Sequence, residues 1–275
     1  MNNLYIHSMS EMADTILDCL KIAGARDVVE IGADLGGMSK KLADQMADVG
    51  GSLTSIDPEP AEEFLRWVIG CRNVRHIPAP SLEAMPGLAN VDAWVIDGDH
   101  NYYTVRNELA IADQIGQRDG KPLLAILHDV SWPCARRDMY YAPKRIPAEW
   151  RQPYSYEGGV TLDDVELVHG AGFHGQGYFA FAKHSGGPRN GVLTAVEDFV
   201  ADLRTEGRDV AFALIPAVLG LGVVFDSSAP WAPDLAAMLL PFHDNRLIAR
   251  LEENRLRHFL ATVELQQPTP LARAA

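Results

Sequence analysis

The chain is 275 residues long, 47% hydrophobic and 22% charged, a balance that describes one large globular core or a core with an appendage. Its formal net charge of −13 argues against a nucleic-acid partner or an anionic membrane surface, both of which select basic patches. Three widely spaced cysteines, Cys19, Cys71 and Cys134, with no C-x-x-C pair, argue against a disulfide framework or a structural zinc site.

The N-terminal MNNLYIHSMSEMAD has neither the basic start nor the apolar core of a secretion signal. No apolar run approaches the roughly 18 residues of a membrane span, so the expected compartment is the cytoplasm. Residues 8–23 then set Met9, Met12, Ile16, Leu17, Leu20 and Ile22 on a helical stripe, with Ser10 and Asp14 near its start. DVVEIG (27–32) predicts a strand, followed by a glycine-bearing turn and a helix over about 38–48. GSLTSID (51–57) predicts the second strand and 60–69 the next helix. NVRHIPA (73–79), VDAWVID (91–97) and PLLAILHD (122–129) predict three further strands, the last two joined by a helix over about 102–117.

Residues 131–190 break this rhythm with a long stretch rich in Pro, Gly, Arg and aromatics, whose composition favours an ordered lid. A helix (192–203), two strands (209–216 and 221–226) and a helical segment from about Asp234 to Leu265, broken near Pro241, complete the chain. The terminal apolar set Leu247, Ile248, Leu251, Leu256, Phe259, Leu260 and Val263 suits either a core cover or a homo-oligomer contact. The expected architecture is α/β: a doubly wound, mostly parallel, seven-stranded Rossmann-like sheet with an N-terminal helix, an insertion after the fifth strand and C-terminal helices. Residues 1–230 form the main domain, with 131–190 inserted, and 231–275 form a helical extension.

Ligands of open α/β sheets gather beyond the carboxyl ends of the strands. There the fourth strand ends in Asp97, Asp99 and His100, and the fifth in His128 and Asp129. Neighbouring strands ending this way can aim Asp97, His128 and Asp129 at one divalent cation, with His100 beside it. The structural alternatives are a helix cap for His100 and a strand-to-loop pair for His128 and Asp129.

The first turn, EIGADLGGMS, departs from the dinucleotide pattern G-x-G-x-x-G, because Asp34 stands where the second glycine belongs. Its spacing of Gly32, Gly36 and Gly37, with Glu30 before, favours a ligand without phosphates, although a plain tight turn has the same composition. Asp57 ends the second strand, where an acid can accept ribose hydroxyls or cap a helix before Pro58.

Glu30, Gly32, Gly36 and Ser39, followed by an acidic strand end, resemble the class I S-adenosylmethionine-dependent methyltransferases. The IDGDH and LHD elements resemble the metal-dependent small-molecule O-methyltransferases of the catechol, sugar and cephalosporin type, over about residues 25–130. The resemblance implies that Glu30, Gly32 and Ser39 line the methionine end of the cofactor, with Gly36 also binding the cofactor, and that Asp57 lines its ribose. It implies that Pro80 and Ser81 lie near adenine, and that Asp97 is both pocket wall and metal ligand. It also implies His100 as general base and His128 with Asp129 as further ligands of magnesium, manganese or another first-row ion. His128 departs from the acidic or amide residue usual there, so the metal is softer than magnesium or His128 stands behind another oxygen.

In the insertion, Trp132, Arg136, Arg137, Tyr140, Tyr141 and Tyr154 suit either a small hydroxylated acceptor, sugar or secondary metabolite, or the scaffold of the loop itself. His169 and His174 are too isolated to count as ligands. Other readings are an NAD-linked oxidoreductase, disfavoured by the absent glycine pattern, and a cofactor-binding oligomer partner without catalysis.

Overall fold

The computed structural model describes residues 9–266. Residues 1–8 and 267–275, which include the predicted helix start at residue 8 and the end of the extension, lie outside the described residues. The main sheet comprises β1 (Asp27–Ile31), β2 (Ser52–Ile56), β3 (Val74–Ile77), β4 (Ala93–Ile96), β5 (Leu124–His128), β9 (Val210–Ile215) and β10 (Leu221–Asp226). Their order is β3-β2-β1-β4-β5-β10-β9. Only β10 runs antiparallel, against both β5 and β9, so the sheet is seven-stranded and mostly parallel as the alternating pattern predicts.

Strands buried on both faces read as continuous apolar runs, and alternate residues serve opposite layers. Val29, Ile31, Trp94, Ile96, Ala125 and Leu127 enter one core, where α5 (Tyr102–Asp119) and α6 (Val192–Thr205) pack through Val105, Leu109, Val196 and Phe199. Val28, Ala93, Val95, Leu124 and Ile126 enter the other, covered by α1 (Ala13–Ala23), α2 (Gly37–Asp48) and α7 (Ala232–Leu239). Two short helices, α3 (Glu62–Val68) and α4 (Ser81–Ala84), flank β2 and β3.

The C-terminal extension shares the second core, since Ala232, Leu235 and Leu239 are buried in it. Its last helix, α8 (Arg246–Gln266), buries Leu256, Phe259 and Leu260 but leaves Leu247, Leu251 and Leu265 exposed. Among the described residues no helix is long and apolar enough to cross a membrane.

The sequence places no regular structure between 131 and 190, yet that insertion carries β6 (Met139–Tyr140), β7 (Tyr154–Ser155) and β8 (Ala180–Ala182). They form a small antiparallel sheet in the order β6-β8-β7. Two- and three-residue strands have too few side chains to show alternation, which is why composition alone reads as loop.

Asp138 braces this sheet to the helices. One of its carboxylate oxygens accepts from the amides of Tyr102, at 2.7 Å, and Gly191, at 2.7 Å, which begin α5 and precede α6. The other accepts from the Tyr140 hydroxyl at 2.6 Å. Burial pushes the Asp138 carboxyl up to about 6 despite these donors, with Asp99 adding to the rise. Replacing Asp138 with Ala strands three buried donors, and should cost on the order of 4 kcal/mol in urea unfolding. A loss under about 1 kcal/mol would show that the brace contributes little.

Candidate functional site

The strand order reverses between β1 and β4, and the crevice beyond their carboxyl ends is where an open α/β sheet receives its ligand. Gly32 is required at this point. Its φ is +89°, and a Cβ there would stand 2.1 Å from the Asp97 carbonyl oxygen. The missing side chain thus lets the loop after β1 lie directly against the end of β4.

That loop is closed by Asp57, at the end of β2. One Asp57 oxygen accepts from the amides of Ala33 (2.8 Å) and Asp34 (3.1 Å), and the other from Glu59 (2.9 Å). Asp57 therefore stands at the predicted edge but is engaged in shaping the glycine loop. Gly36, at φ +79°, precedes α2.

Glu30 is fully buried below the loop, and one of its oxygens accepts from the hydroxyls of Ser39 (2.6 Å) and Ser55 (2.7 Å). The other oxygen is buried without a partner among the described residues. Burial raises the Glu30 carboxyl to about 7, partly countered by the two serines and reinforced by Asp97 and Asp57. A lone buried acceptor beside a glycine cradle fits an incoming cationic amine, the chemistry of a methionine end group. Ser55 was not singled out by the sequence, because a serine inside a strand gives no signal of its own.

Ser81 opens α4 and donates its hydroxyl to Glu108. Glu108 is fully buried on α5, its second oxygen has no partner among the described residues, and burial pushes it up to about 8, with Asp99 raising it further. Sequence patterning reads this residue as an ordinary helix acid. Asp99 is turned the same way, accepting from the Thr104 hydroxyl at 3.2 Å, so it faces α5 rather than the neighbouring strand end.

The pairing of Ile96 with Leu127 sets the ends of β4 and β5 side by side. This register brings Asp97, His100, His128 and Asp129 together. Ligand atoms of Asp97, His100 and Asp129 all lie within 4.8 Å of one another. The His128 Nδ1 is 3.2 Å from an oxygen of Asp97 and 3.2 Å from one of Asp129, and the His100 Nδ1 is 3.6 Å from the same Asp129 oxygen.

The other His128 nitrogen, Nε2, is 2.9 Å from the Val218 carbonyl oxygen. A carbonyl only accepts, so Nε2 carries a proton and Nδ1 is the nitrogen that faces the two acids. Burial opposes charge on this ring, but Asp97 and Asp129 hold its affinity for a proton well above the ordinary histidine range. An imidazole nitrogen set between two carboxylates needs a cation, either a proton or a metal ion. Two carboxylates and one or two imidazoles form a donor set suited to a first-row divalent metal.

Residues 29–129, from β1 to just past the end of β5, match a protein family described as a methyltransferase domain. Over that span the chain is similar to methyltransferase domains. No curated protein sequence matches it. Similar solved structures include an O-methyltransferase from Bacillus cereus in complex with SAH, at 14% identity, 82% of this chain and 84% of that one, and TM-score 0.47. Another is the O-methyltransferase TomG from Streptomyces achromogenes in complex with SAM, at 15% identity, 82% and 83% coverage, and TM-score 0.46. The SAH-bound methyltransferase of Podospora anserina aligns at 14% identity, 78% and 76% coverage, and TM-score 0.45. At these values the likenesses carry no argument about substrate or residues.

Above this sheet edge, the insertion separates scaffold from candidate contacts. Arg137 is buried and donates to the carbonyls of Ala182 and Val165. Tyr140 is buried on Asp138, and Arg136 makes a two-pronged pair with Glu197 at 2.5 and 2.7 Å. Trp132 donates to the Thr161 carbonyl and packs on Phe173. Tyr154 packs edge-on against Tyr140. Tyr141 differs: it is exposed, and its ring centre lies 6.1 Å from that of His100. Phe179, which the sequence did not single out, backs Tyr141 at 5.9 Å.

Burial of the Glu108 carboxyl makes folding stability depend on pH. In the unfolded chain this acid ionises near 4.5, but in the fold it stays protonated up to about 8. Its contribution to stability is therefore present below pH 4.5 and lost as pH rises through 8. Relative to wild type, Glu108→Gln should gain on the order of 3 kcal/mol between pH 5 and pH 9 in unfolding measurements. A difference that stays flat over that interval would contradict a neutral Glu108.

Proposed function

We propose that this protein is a divalent-metal-assisted O-methyltransferase that transfers the methyl group of S-adenosylmethionine to a hydroxyl of a small ring-bearing acceptor. The observation that carries the reading is the meeting of Asp97, His100, His128 and Asp129 beside the Gly32 loop. A sulfonium cofactor at that loop has its methyl donor next to a cluster able to bind and deprotonate a hydroxyl.

On this reading Asp97, His128 and Asp129 hold the metal, which when bound lowers the pKa of a coordinated hydroxyl. Asp97 belongs to both pockets, since its carbonyl abuts Gly32 and its carboxylate faces His128. Gly32 and Gly36, both in left-handed backbone, shape the loop that receives the cofactor, and Glu30 and Ser39 lie under its methionine end. Asp57 and Ser81 mark the ribose and adenine ends of the crevice. His100 takes the acceptor proton as the oxygen displaces the sulfonium sulfur from the methyl carbon. The new C–O bond forms as the C–S bond breaks, S-adenosylhomocysteine leaves neutral at sulfur, and no covalent enzyme intermediate arises. Tyr141 offers a ring face beside His100 on which a planar or sugar acceptor rests, with Phe179 behind it.

A second reading has a specific basis: His100, not His128, is the imidazole whose ligand atom groups with Asp97 and Asp129 within 4.8 Å. His100 would then ligate and could not act as the base. The two readings separate in one variant. His100→Ala should lower kcat by about 10²- to 10⁴-fold while leaving manganese affinity nearly unchanged. A matching loss of manganese affinity would transfer His100 to the ligand set and remove it as base.

Metal dependence is tested apart from the base. Exhaustive chelation should abolish methylation of a catechol or sugar panel, with manganese or magnesium restoring it. Activity that persists in full after chelation would remove the metal from the proposal. Calorimetry should show S-adenosylhomocysteine binding and no NAD binding, and the reverse would favour an oxidoreductase.

A further inference from the structure

A third segment reaches the site besides the ends of β4 and β5: the turn between β9 and β10. Val218 (φ 45°), Leu219 (φ 65°) and Gly220 (φ 91°) are consecutive residues in left-handed backbone. For the β-branched Val218 this conformation costs on the order of 1–2 kcal/mol, so the surroundings must hold it.

They do so from several sides. The Val218 carbonyl accepts from His128 Nε2, and the Leu219 carbonyl accepts from the Ser131 amide at 2.8 Å. Gly220 lies so close to Ser131 that a Cβ on it would meet the serine hydroxyl oxygen at 2.4 Å. From the far side, the Leu219 amide donates to Glu252 Oε1 on α8 at 2.9 Å. Glu252 is only 7% exposed, and Arg255 grips both of its oxygens at 2.7 Å. Burial alone would push this carboxyl up, but Arg255 and the amides of Leu219 and Val218 hold it below the usual glutamate value.

We propose that Glu252 is a positioning residue for His128: by seating the 218–220 turn, it aims the Val218 carbonyl at Nε2 and so directs Nδ1 to Asp97 and Asp129. The chain of contacts runs from α8 through Glu252, the Leu219 amide and the Val218 carbonyl to the imidazole ring. It deepens the metal-centre reading of His128 and rests on it for its functional meaning, but the ring geometry it describes exists without a metal. The same helix also holds the insertion, through Arg257 to Asp163 at 3.2 Å and Phe259 against Phe173. Seating of α8 thus reaches the strand ends and the insertion together.

The test uses the full-length protein with isotopically labelled histidine, comparing wild type with Glu252→Ala, Glu252→Gln and Arg255→Met. In metal-free wild type the His128 Nε2–H should give an NMR signal protected from solvent exchange. Glu252→Ala should lose that protection, and Glu252→Gln should keep it, because an amide oxygen still accepts from Leu219. Titration with manganese alone should show a 10- to 100-fold weaker affinity in Glu252→Ala, largely restored in Glu252→Gln. Should the alanine variant fail to fold, Arg255→Met, which frees the carboxylate without removing it, should shift both readouts in the same direction by less. A folded Glu252→Ala with a wild-type Nε2–H signal and manganese affinity overturns the proposal, as does a wild type with no protected Nε2–H. If wild type binds no manganese but its imidazole signal still depends on Glu252, positioning stands and the metal reading alone falls.

Discussion

The site is organised around one buried imidazole that faces two carboxylates on one side and is tied to a carbonyl on the other. His128 cannot rotate without losing the Val218 carbonyl, and its Nδ1 remains 3.2 Å from both Asp97 and Asp129. Such an arrangement is stabilised by a positive charge in its midst, because the buried Asp129 and the part-buried Asp97 both face the ring. The parallel register of β4 and β5 supplies the two acids, and the strained turn before β10 supplies the carbonyl. Gly32 then lets the loop after β1 reach the same point.

The acidic character extends along the whole crevice. Glu30, Glu108 and Asp138 are buried and Asp99 is part-buried near the carboxyl edge, and loss of solvent raises each of them. A cation bound at this edge would favour the ionised form of these carboxyl groups, so cation binding and loss of their protons assist each other. The proposed ligands of this edge are of that kind: a sulfonium, an ammonium group and a divalent metal. Burial also keeps these acids from competing as stray charges, which leaves Asp97 and Asp129, at the crevice itself, as the proposed contacts for cationic ligands.

Much of this was legible in the sequence. Apolar runs at VDAWVID and PLLAILHD mark strands buried on both faces, and their abrupt polar ends place Asp97, His100, His128 and Asp129 on one edge. Gly32 was legible as a glycine but not for its reason, which is the Asp97 carbonyl in the neighbouring strand. Contacts made by backbone from distant segments left no trace. Val218 and Leu219 adopt left-handed backbone that no propensity assigns to valine or leucine, so the turn that holds His128 reads as ordinary loop. Glu252 sits in a helix rich in Arg and Glu, where an inward-facing acid looks like a solvated one. Arg137 and Tyr140 read equally well as acceptor contacts or scaffold, and burial, which one sequence cannot display, places them in the scaffold. Asp57 and Ser81 stand at the predicted edge, but their internal partners, the loop amides and Glu108, were not visible beforehand.

The account depends on cofactor and metal meeting at the ends of β1, β4 and β5. The most direct measurement is a crystal structure of the protein soaked with manganese and S-adenosylhomocysteine, with anomalous scattering used to find the metal. The account predicts one manganese peak joined to Asp97 and Asp129 with His128 Nδ1 toward it, and the cofactor sulfur beside Gly32. Cofactor bound away from the Gly32 loop, or manganese absent from the Asp97–Asp129 pair while bound elsewhere, would contradict it.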